Sequence, residues 1–285
     1  MGDADPRDVI LIMGPTAAGK TDLALSLAQR FPVDLISVDS AMVYRGMDIG
    51  TGKPDPMTLA RHPHALIDIR DPSETYSAGQ FRSDAIAHIE AAIQKGTVPV
   101  LVGGTMLYFR ALTQGLAELP AADPAIRAHI DAEAAQHGWP ALHAQLASID
   151  PVAAARIQPN DGQRIQRAIE VHRIAGRTLT ELHLAARALP LLPYRFHSFA
   201  WSPVDRERLY ARIEQRFTLM MSRGLLDEVS ALYRRGDLNS ELPAIRSVGY
   251  RQLWEHLAGA YPLEEGVRRA ILATRHLARR QLIWL

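Results

Sequence analysis

Apolar positions in the first 115 residues fall into short runs separated by amphipathic stretches. VILIM (9–13), DLISVD (34–39), HALIDI (64–69) and VPVLVGG (98–104) have the length and apolar content of buried strands. From the turn after VILIM to about Arg30, and again in AGQFRSDAIAHIEAAIQKG (78–96), the pattern is that of an amphipathic helix, and the second stretch closes on a Gly. Strand-length runs alternating with helices predict a parallel sheet covered on both faces. Near residue 116 the pattern changes. As far as about Leu189 there is no strand-like run; helical periods pass through PAIRAHIDAEAAQHG and, after the Asn160-Asp161 cap, QRIQRAIEVHRIAG, punctuated by prolines 120, 124, 140, 151 and 159. YRFHSFAW (194–201) restores a strand, followed by expected helices at 205–223, 225–235, 245–258 and 263–283. The expected fold is therefore α/β: a sheet core built from 1–115 and 190–285, interrupted by an all-helical insertion at 116–189.

Composition narrows the class. The chain has 285 residues, 47% hydrophobic and 22% charged, which excludes disorder and allows a large core without staples. The absence of cysteine excludes disulfide frameworks, thiolate nucleophiles and Cys-ligated zinc. Apolar runs reach about five residues, far short of the ~18 that span a bilayer, and the opening MGDADPRD carries no signal-peptide pattern. Gly2 makes no myristoylation site, because Pro6 stands where Ser or Thr is wanted. A cytoplasmic protein with no membrane partner is expected. The net charge of +1 is unevenly spread: residues 1–118 carry 10 basic and 14 acidic groups, residues 190–285 carry 15 and 10. Only Lys20, Lys53 and Lys95 are lysine among 32 basic residues, which hints that an ammonium is needed where one survives.

The chemistry concentrates after the strands. Gly14, Pro15, Thr16, Ala17, Ala18, Gly19, Lys20 and Thr21 match G-x-x-x-x-G-K-[ST] directly after a strand and at the opening of a helix, the context of a P-loop. Its amides curl around an anion, the helix N-terminus adds partial positive charge, Lys20 adds a full one, and the Thr21 hydroxyl can ligate Mg²⁺. The core is thus P-loop NTPase-like, with a di- or triphosphate site whose ligand the motif does not name. Asp39 ends the second strand, on the edge that faces the ligand crevice in such sheets; it reads as a metal ligand, a general base or a turn residue. Thr105, after VGG, reads as a helix cap or a substrate-facing hydroxyl. The long loop 42–54 is functional in character. Arg212 and Arg216 share a helix face, Arg246 and Arg251 flank SVGY, and Arg268, Arg275 and Arg279 share a face of the last helix; they read as solvated charges or phosphate contacts. His62-Pro63-His64 reads as structural, and the four Trp as packing residues.

GPTAAGKT, ISVDSAMVYRGMDIGTGKP, DIRDPSETYSAGQFRSDA, LVGGTMLYFRAL, DPVAAARIQPNDGQRIQRAIEV, RIEQRF, IRSVGYRQLW and ATRHLARRQLIWL together resemble the bacterial tRNA dimethylallyltransferase family (tRNA isopentenyltransferases, the IPP transferases), in the family's order from residue 9 to 285. The resemblance implies transfer of a dimethylallyl group from dimethylallyl diphosphate to the exocyclic amine of the adenosine 3′ of the tRNA anticodon, giving N6-isopentenyladenosine and diphosphate. It implies that the P-loop, Gly14 to Thr21, holds the donor's diphosphate, with Mg²⁺ on Thr21. Asp39 would be the general base, Arg216 a diphosphate contact, and Thr105 a contact to tRNA or donor near the reacting centre. The tRNA-contacting segments would be Asp39, Ser40, Ala41 and Met42; Arg127; Gln163, Arg164, Ile165, Gln166 and Arg167; and Arg246, Ser247, Val248, Gly249, Tyr250 and Arg251. The helical insertion would clamp the anticodon stem-loop, and a monomer is expected. Many members read Asp-Ser-Arg-Gln where this chain has Asp39-Ser40-Ala41-Met42, Ser where it has Ala18, and Ala where it has Gly52. A P-loop kinase for a small metabolite fits the loop and the strand-end Asp as well; turnover of ATP would mark it.

Overall fold

The computed structural model describes residues 7–117, 119–187 and 192–285. The chain runs β1 (Arg7–Met13), α1 (Lys20–Ala28), β2 (Val33–Val38), α2 (Pro56–Arg61), β3 (His64–Ala65), α3 (Ala78–Gln94), β4 (Val98–Gly103), α4 (Met106–Gln114), α5 (Pro124–His137), α6 (Trp139–Ile149), α7 (Pro151–Ala154), α8 (Gly162–Ala175), α9 (Leu179–Arg187), β5 (Tyr194–Ala200), α10 (Arg206–Ser222), α11 (Leu225–Tyr233), α12 (Tyr250–Leu257) and α13 (Leu263–Trp284). It divides into two compact units, Met1–Thr113 with Pro193–Leu285, and Gln114–Leu192. The expected end of the insertion at 189 lies outside the described residues, as does the N-terminal hexapeptide.

The first unit is an α/β core on a five-stranded, wholly parallel sheet, ordered β3-β2-β4-β1-β5. Parallel pairing puts the C-terminal ends of β1, β2, β4 and β5 on one edge, where the loops at Gly14, Asp39, Gly104 and Trp201 emerge. Val9, Leu11, Ile12, Leu35, Ile36, Val38, Val100 and Leu101 are all buried, as strands covered on both faces require. α3 shows how one face is covered. Ser77 and Gln80 close a capping box, and Phe81, Ala85, Ile89 and Ala92 are buried along one stripe.

HALIDI departs from the expected strand. Pairing stops after Ala65, because Leu66 and Asp68 take left-handed φ values of 67° and 56°. The chain then turns onto the 42–45 loop instead: the Asp68 amide donates to the Met42 carbonyl and the Arg70 amide to that of Val43. The helix expected at 245–258 also starts late, at Tyr250, behind Gly249 at φ 93°.

The described residues of the second unit form five helices, α5 to α9, around Ile130, Leu142, Leu146, Ile157, Ile165 and Ile169. Three of the prolines that break its helical periods, Pro124, Pro140 and Pro151, stand in the first turn of a helix. Asp123-Pro124 and Asp150-Pro151 each pair a capping carboxylate with a proline at the first helical position, where the missing N–H is harmless.

Candidate active site

The P-loop is shaped as much by its neighbours as by its glycines. Ala17 and Gly19 take left-handed φ values of 62° and 90°. At Gly14 the constraint is space: a Cβ there would lie 2.0 Å from the Trp201 carbonyl oxygen at the end of β5. The Thr16 amide does not face the cavity as expected; it donates to Gln281 Oε1 of α13 (2.9 Å), whose Nε2 donates to the Gly104 carbonyl (2.9 Å). The amides of Ala17, Gly19, Lys20 and Thr21 donate to no described residue, and form a nest of free N–H groups at the start of α1.

Two cavities open on this edge. One, of about 470 Å³, is lined by the loop from Thr16 to Thr21 and by Ser37, Asp39, Met42, His64, Arg212 and Arg216. The other, of about 520 Å³, has a more apolar wall that includes Tyr44, Tyr76, Met106, Leu107, Phe217, Met220, Val248 and Trp284. Thr16, Ala17, Asp39, Thr51, Gly104, Arg216 and Gln281 line both, so Asp39 and Arg216 stand at the junction.

The first cavity is built for an anion. The Lys20 ammonium donates to the Pro15 carbonyl (2.7 Å). Burial pushes its pKa down to about 8, against the pull of Asp39 and with the help of Arg216. Arg216 is pushed down as well, by burial, again opposed by Asp39. Among the described residues its guanidinium makes only long bonds, to Thr16 Oγ1 (3.5 Å) and the Thr51 carbonyl (3.3 Å). Neither cation has a salt bridge among the described residues. Two half-buried cations without an ion-pair partner among the described residues, beside free amides, are costly unless a polyanion arrives.

Asp39 fills one of the roles its position suggested, that of a turn residue. Oδ1 accepts the amides of Ala41 (2.8 Å) and Met42 (3.2 Å), a turn; Oδ2 has no partner among the described residues. Thr105 links the two strand ends, its Oγ1 accepting the Ser40 amide (3.0 Å) and donating to Ser40 Oγ (3.3 Å).

The residues expected to contact tRNA fall into groups. Arg246, Ser247 and Val248 line the second cavity, and Arg246 has no ion-pair partner among the described residues. Arg251 is exposed near Glu255 (3.9 Å). Tyr250 also lines that cavity; its side chain is buried and its hydroxyl donates to Glu228. In the helical unit Ile165 is a core residue, fully buried, and offers no side chain to a ligand. Arg127 grips both oxygens of the buried Glu170 (2.8 and 3.2 Å), and Arg167 donates to the same carboxylate (2.6 Å) and to the Pro120 carbonyl. Both arginines are committed to internal partners. Gln166 donates to Asp131 (2.6 Å), Arg164 pairs with Asp161, and Gln163 is exposed.

Several site residues escaped the sequence reading. His64, expected to be structural, lines the first cavity with Nδ1 on the His62 carbonyl (2.9 Å) and a buried, unpartnered Nε2. Gln281 and Glu228 reach the site from distant helices, and no local motif marks them. Trp201 and Trp284, expected to pack, are about half exposed; Trp201 donates to the Ala18 carbonyl and Trp284 borders the second cavity.

The IPP transferase family model matches residues 42–285. The chain belongs to the IPP transferase family. Within it, the chain is 56% identical to tRNA dimethylallyltransferase 2 of Hahella chejuensis over 97% of this chain and 87% of that one. It is 58% identical to the tRNA dimethylallyltransferase of Thioalkalivibrio sulfidiphilus, over 97% and 86%. Among solved structures, the tRNA isopentenylpyrophosphate transferase of Bacillus halodurans superposes with a TM-score of 0.68 at 36% identity, over 98% of this chain and 86% of that one. A eukaryotic dimethylallyltransferase acting on tRNA superposes with a TM-score of 0.82 at 26% identity, over 98% and 69%.

Proposed function

We propose that this protein transfers the dimethylallyl group of dimethylallyl diphosphate to the exocyclic amine of the adenosine 3′ of the anticodon in tRNA. The observation that carries the reading is the pair of half-buried cations, Lys20 and Arg216, without an ion-pair partner among the described residues and set with the free P-loop amides at a junction occupied by Asp39. The diphosphate fits the cation-lined cavity; the adenine ring and the prenyl group fit the apolar walls beyond Asp39.

In the transfer, the adenine N6 bonds to C1 of the prenyl group as the C1–O bond breaks. The electron pair of that bond leaves with diphosphate, and the amine proton passes to Asp39 Oδ2. Adenine N6 is a weak nucleophile because its lone pair is delocalised into the ring, so a base at this point contributes roughly 10²–10⁴ in rate. Lys20, Arg216 and the amides of Ala17 and Gly19 to Thr21 hold the charge that grows on the leaving diphosphate. The target base lies in a single-stranded loop, where extrusion costs on the order of a few kcal/mol or less.

Among the described residues there is no cluster of three or more His, Cys, Asp or Glu able to hold a metal. That suits Mg²⁺ arriving with the diphosphate, since this ion takes one or two protein groups and otherwise phosphate and water oxygens. The Thr21 hydroxyl, on the cavity wall, would be its protein ligand. Bound there it would neutralise part of the diphosphate charge. Mass spectrometry of tRNA after incubation with enzyme and dimethylallyl diphosphate tests the reading. Formation of N6-isopentenyladenosine next to the anticodon is expected. Unmodified tRNA together with ATP turnover on a small acceptor would replace it with a kinase.

A further inference from the structure

We propose that Glu228 is a positioning residue for the transfer: its carboxylate holds the 48–51 loop, whose Thr51 carbonyl in turn carries Arg216 into the diphosphate cavity. Glu228 lies on α11 and touches neither reacting group. Its Oε2 accepts the amides of Asp48 (2.8 Å) and Ile49 (2.8 Å), and its Oε1 accepts the Gly50 amide (3.1 Å) and the Tyr250 hydroxyl (2.5 Å). Three consecutive amides on one carboxylate fix that stretch of chain as a unit, because an ionised carboxylate offers about four acceptor sites and here all four are used. The fit allows little slack: a Cβ on Gly50 would lie 2.5 Å from the Tyr250 ring and 2.8 Å from Leu225. The next carbonyl along, that of Thr51, is the only backbone group among the described residues to which Arg216 donates. With no carboxylate partner among the described residues and its other bond, to Thr16, at 3.5 Å, the guanidinium depends on this wall for its aim. Positional errors of this kind are costly where charge must be met at a defined point.

The inference rests on the reading of Arg216 as a diphosphate ligand, so its test is a double-mutant cycle read by calorimetric binding of inorganic pyrophosphate. In Glu228→Gln the amide NH₂ opposes at least one of the four donors and releases the loop. We expect folding as in the parent, about tenfold weaker pyrophosphate binding, and a loss of the same order or more in Arg216→Ala. The double variant should bind no worse than Arg216→Ala alone, since coupled residues are not additive. If Glu228→Gln does not fold, Tyr250→Phe, which removes one of the four bonds, should lose affinity by about threefold in the parent and by nothing in Arg216→Ala. Parent-like affinity in both Glu228→Gln and Tyr250→Phe, or a loss that persists in full without Arg216, would overturn the positioning role while leaving the diphosphate site intact. Parent-like binding by Arg216→Ala would overturn that site and this role with it.

Discussion

At the scale of single residues, the turn bonds of Asp39 separate its two possible contributions. Asparagine keeps Oδ1 for the amides of Ala41 and Met42 and loses only basicity. Asp39→Asn should therefore unfold like the parent and bind both substrates, while turnover falls by about 10²–10⁴. Asp39→Ala should lose the same rate and also about 1 kcal/mol of stability, from the unmet amides; rapid-quench turnover and urea unfolding read the two. Lys20 predicts a pH dependence. Its free-state pKa of about 8 is depressed mainly by burial, and a bound polyanion favours the charged form and raises it. Between the two values the complex holds the proton that the free protein has lost. Pyrophosphate affinity should fall as pH rises through about 8, and binding near pH 8.5 (an intermediate value, roughly half a unit above) should draw a proton from buffer. Calorimetry in buffers of different ionisation enthalpy measures that uptake, and Lys20→Met should abolish its protein share.

At the scale of elements, helix α10 shows a signal that the sequence held and that charge clustering obscured. Leu209, Ile213 and Phe217 are the buried stripe of this helix, and Arg216 is seven residues from Leu209, on the same stripe. An arginine at an apolar-stripe position is either paired inside or facing a ligand; its neighbour Arg212 stays exposed at the cavity rim. The P-loop gives the element-scale prediction. Its first glycine is needed for the close approach of the β5 end, because a methyl group at Gly14 meets a backbone carbonyl that cannot swing aside. Gly14→Ala should cost about 1–3 kcal/mol in urea unfolding, and should do so without any ligand present. Parent-like stability would mean that the Trp201 carbonyl moves freely.

At the scale of the molecule, the two units respond to different losses. In the helical unit, burial raises the Glu170 carboxyl while the bonds from Arg127, Arg167 and the Asp123 amide lower it, with a net shift downward. A depressed carboxylate stabilises the fold above its unfolded pKa, and that contribution is lost as pH falls into the acid range below about 4.5. Removing both arginines leaves a buried charge unpaired. Arg127→Ala with Arg167→Ala should destabilise the unit by roughly 3–5 kcal/mol, seen in thermal unfolding at neutral pH and reduced in acid. These arginines are thus poor probes of RNA binding. Arg246, exposed at the mouth of the second cavity, is a better one. Arg246→Ala should weaken tRNA binding and flatten its salt dependence by about 0.7–0.9 in log–log slope, with pyrophosphate affinity unchanged. An unchanged slope would take Arg246 off the RNA path.

The alternation of apolar runs and helical periods was enough to establish the parallel sheet and the helical insertion, because burial on both faces of a strand and on one face of a helix writes itself into local spacing. GPTAAGKT and the strand-end Asp39 were legible for the same reason: an anion nest and a crevice-edge carboxylate are local in sequence. Other features were decided only by the tertiary structure. HALIDI kept two residues of strand because Leu66 and Asp68 turn left-handed to meet the 42–45 loop, a competition between two pairings that periodicity does not express. Gln281, Glu228 and His64 enter the site from far along the chain, and a hydrogen bond across 265 residues, such as Thr16 to Gln281, leaves no spacing to read. The fate of each arginine was settled the same way. Arg127 and Arg167 meet the buried Glu170, whereas Arg216, among the described residues, meets only carbonyl and hydroxyl oxygens, and whether a cation is satisfied within the fold or left for a ligand depends on which distant chain segment packs against it.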